Sequence, residues 1–136
     1  MKKIGIVMAM QAEAKPVIAS LGLKRRHSGL NPESRLPFQI YLGEIDKKDV
    51  CLVVTGQCKQ HQIDLIGSQP AVLSANHLAQ YFKPDIIMSA GTAGGLKKHG
   101  AEIGDVYLSD GPICFHDRRI QIDGFRDYGV GRYPSY

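Results

Sequence analysis

The sequence predicts an α/β layered fold with a largely parallel central sheet. Ile4-Gly5-Ile6-Val7-Met8-Ala9-Met10 is one apolar run of strand length, and Ile86-Ile87-Met88-Ser89-Ala90 is another. Runs of this kind, without strict alternation, mark strands covered on both faces. Between them the chain alternates strand and helix patterns, the order expected when helices pack on a sheet.

The first strand lies near residues 3–10 and precedes a helix from about Ala12 to Leu21. Val17, Ile18 and Leu21 share one face of that helix, Pro16 stands near its first turn, and Gly22 is a fitting stop. Residues 24–37 are basic and contain Ser, Asn, Gly and Pro, the composition of a surface loop. Phe38–Leu42 and Val50–Val54 are strands around the polar turn Asp46-Lys47-Lys48-Asp49, hence a hairpin. Thr55-Gly56-Gln57 closes it and begins an irregular polar stretch. A second helix is expected from about Pro70 to Tyr81, capped by Ser68, with Pro70 in its first turn. Val72, Ala75, Leu78, Ala79 and Phe82 mark its inner face. Lys83-Pro84-Asp85 then turns the chain into the second apolar run. Val106-Tyr107-Leu108 and Ile113-Cys114-Phe115 are short strand candidates, and the last twenty residues carry no firm element. With no later helix to cover it, the sheet's second half is expected to expose an edge and an apolar face.

A chain of 136 residues, 43% hydrophobic, can bury one ordinary core. The net charge of +4 comes from short, scattered clusters (Lys24-Arg25-Arg26, Lys97-Lys98, Arg118-Arg119) without interleaved aromatics. That pattern reads as solvated surface, not as a nucleic-acid face. Cys51, Cys58 and Cys114 are odd in number and lack CxxC spacing, which points to reduced thiols in a cytosolic protein. Lys2-Lys3 and the apolar run after it loosely imitate a signal peptide, but the segment is too short, and a first core strand explains it. No run reaches transmembrane length. His27, His61, His77 and His99 show no metal-ligand spacing.

Two segments could carry chemistry. Gln11-Ala12-Glu13 leaves the first strand with a carboxylate just past its end. Partial desolvation there would raise its pKa and make it an acid or base near neutral pH. The alternative is a simple charge in a first helical turn, where the helix dipole favours anions. Gly91-Thr92-Ala93-Gly94-Gly95 follows the second apolar run, at the strand end where open α/β sheets bind ligands. It has neither the order of a dinucleotide loop nor the ending of a P-loop. Its alternative is a tight turn that needs positive φ. His116-Asp117-Arg118-Arg119 is a polar cluster after an apolar run, and an adjacent His-Asp pair is more often structural than catalytic.

Ala9-Met10-Gln11-Ala12-Glu13, Lys83-Pro84-Asp85-Ile86-Ile87, Gly91-Thr92-Ala93-Gly94-Gly95, Ile103-Gly104-Asp105-Val106 and Phe115-His116-Asp117-Arg118-Arg119 stand in one order. Together they resemble the 5′-methylthioadenosine/S-adenosylhomocysteine nucleosidase family. Ile63-Asp64-Leu65-Ile66-Gly67 and Tyr128-Gly129-Val130-Gly131 are closest to its plant-type branch, and the likeness runs from residue 3 to about residue 131.

The resemblance implies a three-layer nucleoside phosphorylase-like fold with a central mixed, largely parallel sheet. It also implies hydrolysis of the N-glycosidic bond of methylthioadenosine, and possibly S-adenosylhomocysteine, in methionine salvage. Glu13 matches the glutamate that positions and activates the attacking water. Thr92, Ala93 and Gly94 would line the ribose and purine site, with Ala9 and Met10 on another wall. Gly56 and Gln57 match a loop near the alkylthio pocket. Phe125 is the candidate for the aromatic that a homodimer partner lends to that pocket. No metal or organic cofactor, nucleic acid or membrane is implied.

Phosphorolytic relatives carry an arginine where this chain has Ser89, and a Gly-Asp-Pro-x-Arg turn where it has Met10-Gln11-Ala12-Glu13, so hydrolysis is favoured. Members of the family run to nearly twice this length. The half without a counterpart here supplies the aspartate that protonates adenine and the Met-Glu pair that holds base and ribose. Residues 1–136 are therefore expected to be the N-terminal portion of one truncated domain. Two other readings remain: a catalytically incomplete remnant that binds adenine nucleosides or pairs with a full-length relative, and an unrelated α/β module for an anionic ligand.

Overall fold

β1 (Lys3–Met8) lies between two parallel neighbours, and this placement organises the first half of the molecule. The structure is a computed structural model that describes residues 2–27, 30, 35–116 and 130–133. The chain forms two compact units, Met1–Ala93 and Gly94–Tyr136.

In the first unit a five-stranded sheet runs in the order β2-β3-β4-β1-β5. Its strands are β2 (Lys24–Arg26), β3 (Gln39–Ile45), β4 (Lys48–Val54) and β5 (Ile86–Ser89) besides β1. β1 pairs in parallel with β4 and β5, whereas β3 runs antiparallel to both β2 and β4. The sheet is mixed, and only β3 is reversed against the other four. Helices α1 (Gln11–Ser20) and α2 (Ser68–Tyr81) complete the unit.

The period-two alternation of strand side chains sorts the apolar residues into two layers. Ile6, Met8, Val50, Leu52 and Val54 form one cluster, closed by Ala14, Val17, Ile18 and Leu21 of α1 and its C-terminal end. Val7, Cys51 and Val53 form the other, closed by Leu78, Ala75 and Phe82 of α2 and its C-terminal end. With a helix on each face, the sheet is the middle of three layers, as the continuous apolar runs predicted. Val53, Leu52 and Leu78 are fully buried, as befits that position.

Several elements differ from expectation, each for a local reason. The hairpin turn is shorter than predicted, because Lys48 and Asp49 already pair within the ladder. Asp46 (φ 48°) and Lys47 (φ 62°) make a two-residue turn with both φ positive, the form that matches strand twist. β2 arises inside the segment read as a surface loop, since Lys24, Arg25 and Arg26 pair with Leu42, Tyr41 and Ile40 while their side chains stay in water. An exposed edge strand needs backbone partners, not apolar residues. In α2, Ser68 lies within the helix and Gly67 (φ 113°) is the residue before it, with no side-chain cap. The buried face of α2 is Ser74, His77 and Leu78, whereas Val72 and Ala79 are exposed. Ser74 suits that face because its hydroxyl donates to the Ala71 carbonyl at 2.9 Å, and His77 because it packs between Phe38 and Tyr81. Pro16 falls in the second turn of α1, where its missing N–H leaves the Ala12 carbonyl without a helical donor.

β5 pairs only with β1 among the described residues, and Ile87 and Met88 are both 41% exposed. Among the described residues β5 is thus an edge strand of this unit. In the second unit, β6 (Ile113–His116) pairs antiparallel with β7 (Val130–Tyr133). Val106-Tyr107-Leu108 forms no strand and is well exposed. The Asp105 carboxylate instead gathers the Glu102 N–H (2.8 Å) and the Tyr107 hydroxyl (2.9 Å) into a local turn. Strand propensity without a pairing partner does not make a strand.

Close packing at the sheet centre yields a stability test. A Cβ on Gly5 would lie 2.5 Å from Leu78 Cδ2, so the glycine makes room for that leucine. Leu78→Ala is expected to cost about 2–5 kcal/mol and Gly5→Ala about 1–3 kcal/mol in urea unfolding. The double variant should lose clearly less than the sum, because the smaller side chain relieves the clash. Strict additivity would refute the contact.

Candidate functional site

The C-terminal ends of β1 and β5 lie side by side, with Val7 in register with Ser89 and the Ala90 N–H donating to the Val7 carbonyl at 3.1 Å. Chain leaving β1 enters α1, and chain leaving β5 enters the glycine-rich loop. Glu13 and Thr92, 79 positions apart, are thereby brought into contact. Thr92 donates twice to one carboxylate oxygen, Glu13 Oε1, from its backbone N–H at 2.8 Å and its hydroxyl at 2.6 Å.

These bonds reverse one expectation. Glu13 is shifted below its ordinary carboxylate value, first by the Thr92 hydroxyl and next by the Thr92 N–H. Partial burial opposes the shift and is outweighed, and the Met10 N–H adds a smaller lowering. Donors to the ionised form win over a modest desolvation cost. Glu13 is thus a carboxylate at neutral pH. A carboxylate has about four lone-pair sites, so these three donors leave it capacity to accept from a water or a ligand hydroxyl.

The pair opens onto a cleft of about 550 Å³. Met8, Met10, Ala12, Pro16 and Val17 line it from β1 and α1, and Ala90, Gly91 and Thr92 from the end of β5. A mostly apolar cleft with a few convergent polar groups is the usual form of a small-molecule site. Gly91 and Gly94 are not among the glycines with positive φ, so the loop is not the left-handed turn that was its alternative. Gly91 lies beside the carboxylate, and a Cβ there would come into contact with Glu13 Oε2 at 3.4 Å.

The cleft gathers Met10, Glu13 and Thr92 from the residues singled out in the sequence. Ala9 lies at the same junction, with its carbonyl accepting from the Thr55 hydroxyl at 2.8 Å. Ala93 ends the first unit and Gly94 begins the second. Gln57 is exposed and outside the cleft lining, and its amide donates to Asp64 Oδ1 at 3.1 Å. Phe125 and Asp117-Arg118-Arg119 lie outside the described residues. Buried Cys51 is no nucleophile, since burial pushes its thiol up to about 12. Burial also lowers the pKa of His77, which keeps it neutral in its aromatic surroundings.

Asp64 and Thr55 escaped the sequence reading. Asp64 Oδ2 accepts the N–H of Gln11, the first residue of α1, at 3.1 Å. The Thr55 hydroxyl, 1% exposed, lies 2.6 Å from the Leu65 carbonyl as well as near Ala9. A hydroxyl directly after an apolar strand was the available signal for Thr55. Asp64 stood in a segment that carries the family resemblance, but nothing local marked it as the partner of Gln11, 53 positions away. Gly56 has φ 90°, and a Cβ there would fall 2.1 Å from the Pro37 carbonyl oxygen, so this tight corner admits only glycine.

The sequence model of the phosphorylase superfamily matches residues 3–136, essentially the whole chain. The chain belongs to this superfamily. Within it, the chain is 42% identical over 132 residues to a 5′-methylthioadenosine nucleosidase of Arabidopsis thaliana, covering 96% of this chain and 48% of the relative. It is 34% identical to a 5′-methylthioadenosine/S-adenosylhomocysteine nucleosidase of the same plant, covering 98% and 52%. The apo structure of an Arabidopsis thaliana 5′-methylthioadenosine nucleosidase superposes with a TM-score of 0.89 at 40% identity, covering 99% of this chain and 55% of that one. A Neisseria meningitidis nucleosidase in complex with methylthio-immucillin-A gives 0.66 at 25% identity, with 88% and 45% covered. The resemblance read from the motifs is borne out, including its plant-type character. The chain spans about half the length of the curated relatives it matches.

The Glu13–Thr92 contact makes its own prediction. Because Glu13 has a lower pKa folded than unfolded, the contact stabilises the fold above the ordinary carboxylate range. That contribution fades as pH falls through the lowered pKa. Thr92→Val removes the hydroxyl and is expected to raise the Glu13 pKa in carboxyl-carbon NMR titration, whereas Thr92→Ser preserves it. The stability gap between Thr92→Val and wild type should close in acid. An unmoved Glu13 titration would reject the hydroxyl as the cause.

Proposed function

We propose that this chain carries the water-side half of a purine nucleosidase that hydrolyses the N-glycosidic bond of 5′-methylthioadenosine, and of S-adenosylhomocysteine where the pocket admits it. The carrying observation is Glu13, held ionised by Thr92 in an apolar cleft at adjacent strand ends. A cleaving N-riboside develops positive charge at the anomeric carbon, and a fixed carboxylate stabilises that charge. The same oxygens accept a proton from the attacking water as its bond to carbon forms. The low pKa makes Glu13 a weak base, suited to water already being drawn toward an oxocarbenium-like carbon.

Thr92, Ala93 and Gly94 are the proposed ribose and purine contacts, with Ala9 and Met10 opposite. Gln57 is assigned to the approach of the alkylthio group, and Phe125 to the wall that a second subunit lends in a homodimer. Ser89 stands where a phosphorolytic enzyme needs arginine, which supports hydrolysis over phosphorolysis. The superfamily match crosses both compact units, which supports one domain of which residues 1–136 are the N-terminal portion. Free Cys51, Cys58 and Cys114 fit a cytosolic setting, and a role in methionine salvage goes with the proposed substrate.

The test is adenine release from methylthioadenosine and S-adenosylhomocysteine, with Glu13→Gln as control. Loss of the carboxylate is expected to lower turnover by about 10²–10⁴-fold. Turnover indifferent to Glu13→Gln would reject the reading. The half-length coverage of the relatives favours a second reading, a partner-dependent or incomplete enzyme. Calorimetric binding of methylthioadenosine without adenine release would establish it.

A further inference from the structure

Glu13 owes its position to the first turn of α1, in which it is the third residue. The opening N–H groups of a helix have no partners within it and must find them elsewhere. The residue before α1 is Met10, whose side chain cannot cap, and no side-chain cap is made locally. The role passes to a distant residue: Asp64 Oδ2 accepts the Gln11 N–H at 3.1 Å. The other oxygen, Oδ1, accepts from the Gln57 amide at 3.1 Å.

Asp64 is itself held in a narrow turn-back. Gln57 and Asp64 form an antiparallel bridge, the Leu65 N–H donates to the Gly56 carbonyl at 2.8 Å, and the Cys58 N–H to the Ile63 carbonyl at 2.9 Å. Buried Thr55 ties the base of this turn to the chain before α1, its hydroxyl lying against both the Leu65 and Ala9 carbonyls. The short junction from β1 to Glu13 is thereby gripped at Ala9 and at Gln11. The position of Thr92 is set separately, through the pairing of β5 with β1. Hydrogen bonds of 2.6 and 2.8 Å between two separately anchored segments tolerate little drift, since such bonds weaken steeply beyond about 3.5 Å.

We propose that Asp64 is a positioning residue for Glu13, clamping the first turn of α1 so that the carboxylate meets Thr92. Its value to catalysis rests on the nucleosidase reading, but the clamp does not. Asp64 is also a negative charge at the helix end that carries Glu13. Removing that charge alone would lower the Glu13 pKa, whereas releasing the clamp raises it by loosening the Thr92 bonds. The two effects have opposite signs.

The experiment is NMR titration of the Glu13 carboxyl carbon and the Thr92 amide in the wild-type chain, Asp64→Ala and Asp64→Asn. Thr92→Val serves as the reference for a broken contact. Asp64→Ala is expected to move the Glu13 pKa upward, toward its value in Thr92→Val, and to flatten the pH response of the Thr92 amide. Asp64→Asn should restore the Thr92 amide response and leave the Glu13 pKa at or slightly below its wild-type value, because its carbonyl can accept from Gln11 while the Gln57 amide flips to accept from its NH₂ group and the negative charge is gone. A folded Asp64→Ala whose Glu13 pKa stays put or falls would overturn the proposal. Where Asp64→Ala fails to fold, Gln57→Leu at an exposed position decides: a raised Glu13 pKa supports the clamp and an unmoved one rejects it. In the turnover assay Asp64→Ala should lower kcat by about 10–100-fold with little change in KM. Absence of adenine release from every protein would reject the nucleosidase reading and leave the titration result standing.

Discussion

The parallel pairing of β1 with β4 on one side and β5 on the other is the constraint from which the first unit follows. A strand between two parallel neighbours has both faces to cover, and a parallel pair cannot be closed by a tight turn. The chain must cross over between these strands, and the crossovers supply α1 to one face and α2 to the other. The same geometry determines where ligands bind. β4 leads through α2 to β5 on the far side of β1, so β1 and β5 end side by side, and the cleft lies at their C-terminal ends. Glu13 and Thr92 meet there because two paired parallel strands end side by side.

Chemistry at that crevice is set more by hydrogen bonding than by burial. A half-buried carboxylate could have been an acid of raised pKa, and the strand-end position suggested one. Two donors from a single residue tip Glu13 the other way. The result is an anion at neutral pH beside an apolar cleft. Such an anion accepts a proton or a hydrogen bond at neutral pH and has no proton to donate.

Much of the fold was legible because burial on both faces leaves a strong local mark. The runs at residues 4–10 and 86–90, the hairpin and both helices could all be read from apolar pattern and turn residues. The misreadings are instructive. β2 was hidden because Lys24-Arg25-Arg26 contributes backbone rather than side chains to the sheet. The inner face of α2 was read in part: Ala75, Leu78 and Phe82 pack inward, but Ser74 and His77 are buried there with their own partners, while Val72 and Ala79 are left outside. Apolar counting cannot see a polar residue whose bonds are satisfied locally. Of the site, Glu13, Met10 and Thr92 were visible as chemistry-bearing residues at strand ends, and their contact was not.

By itself the sequence determined the layered α/β class, the two strand ends that meet at the cleft as candidates, and the family, since all three are written in residue types and short spacings. The tertiary structure alone decided that Glu13 is an anion of lowered pKa and that Asp64 caps the helix that carries it. Both outcomes rest on hydrogen bonds between residues 79 and 53 positions apart. A hydrogen bond acts over about 3 Å, and no local pattern encodes which distant donor the fold will bring within that range.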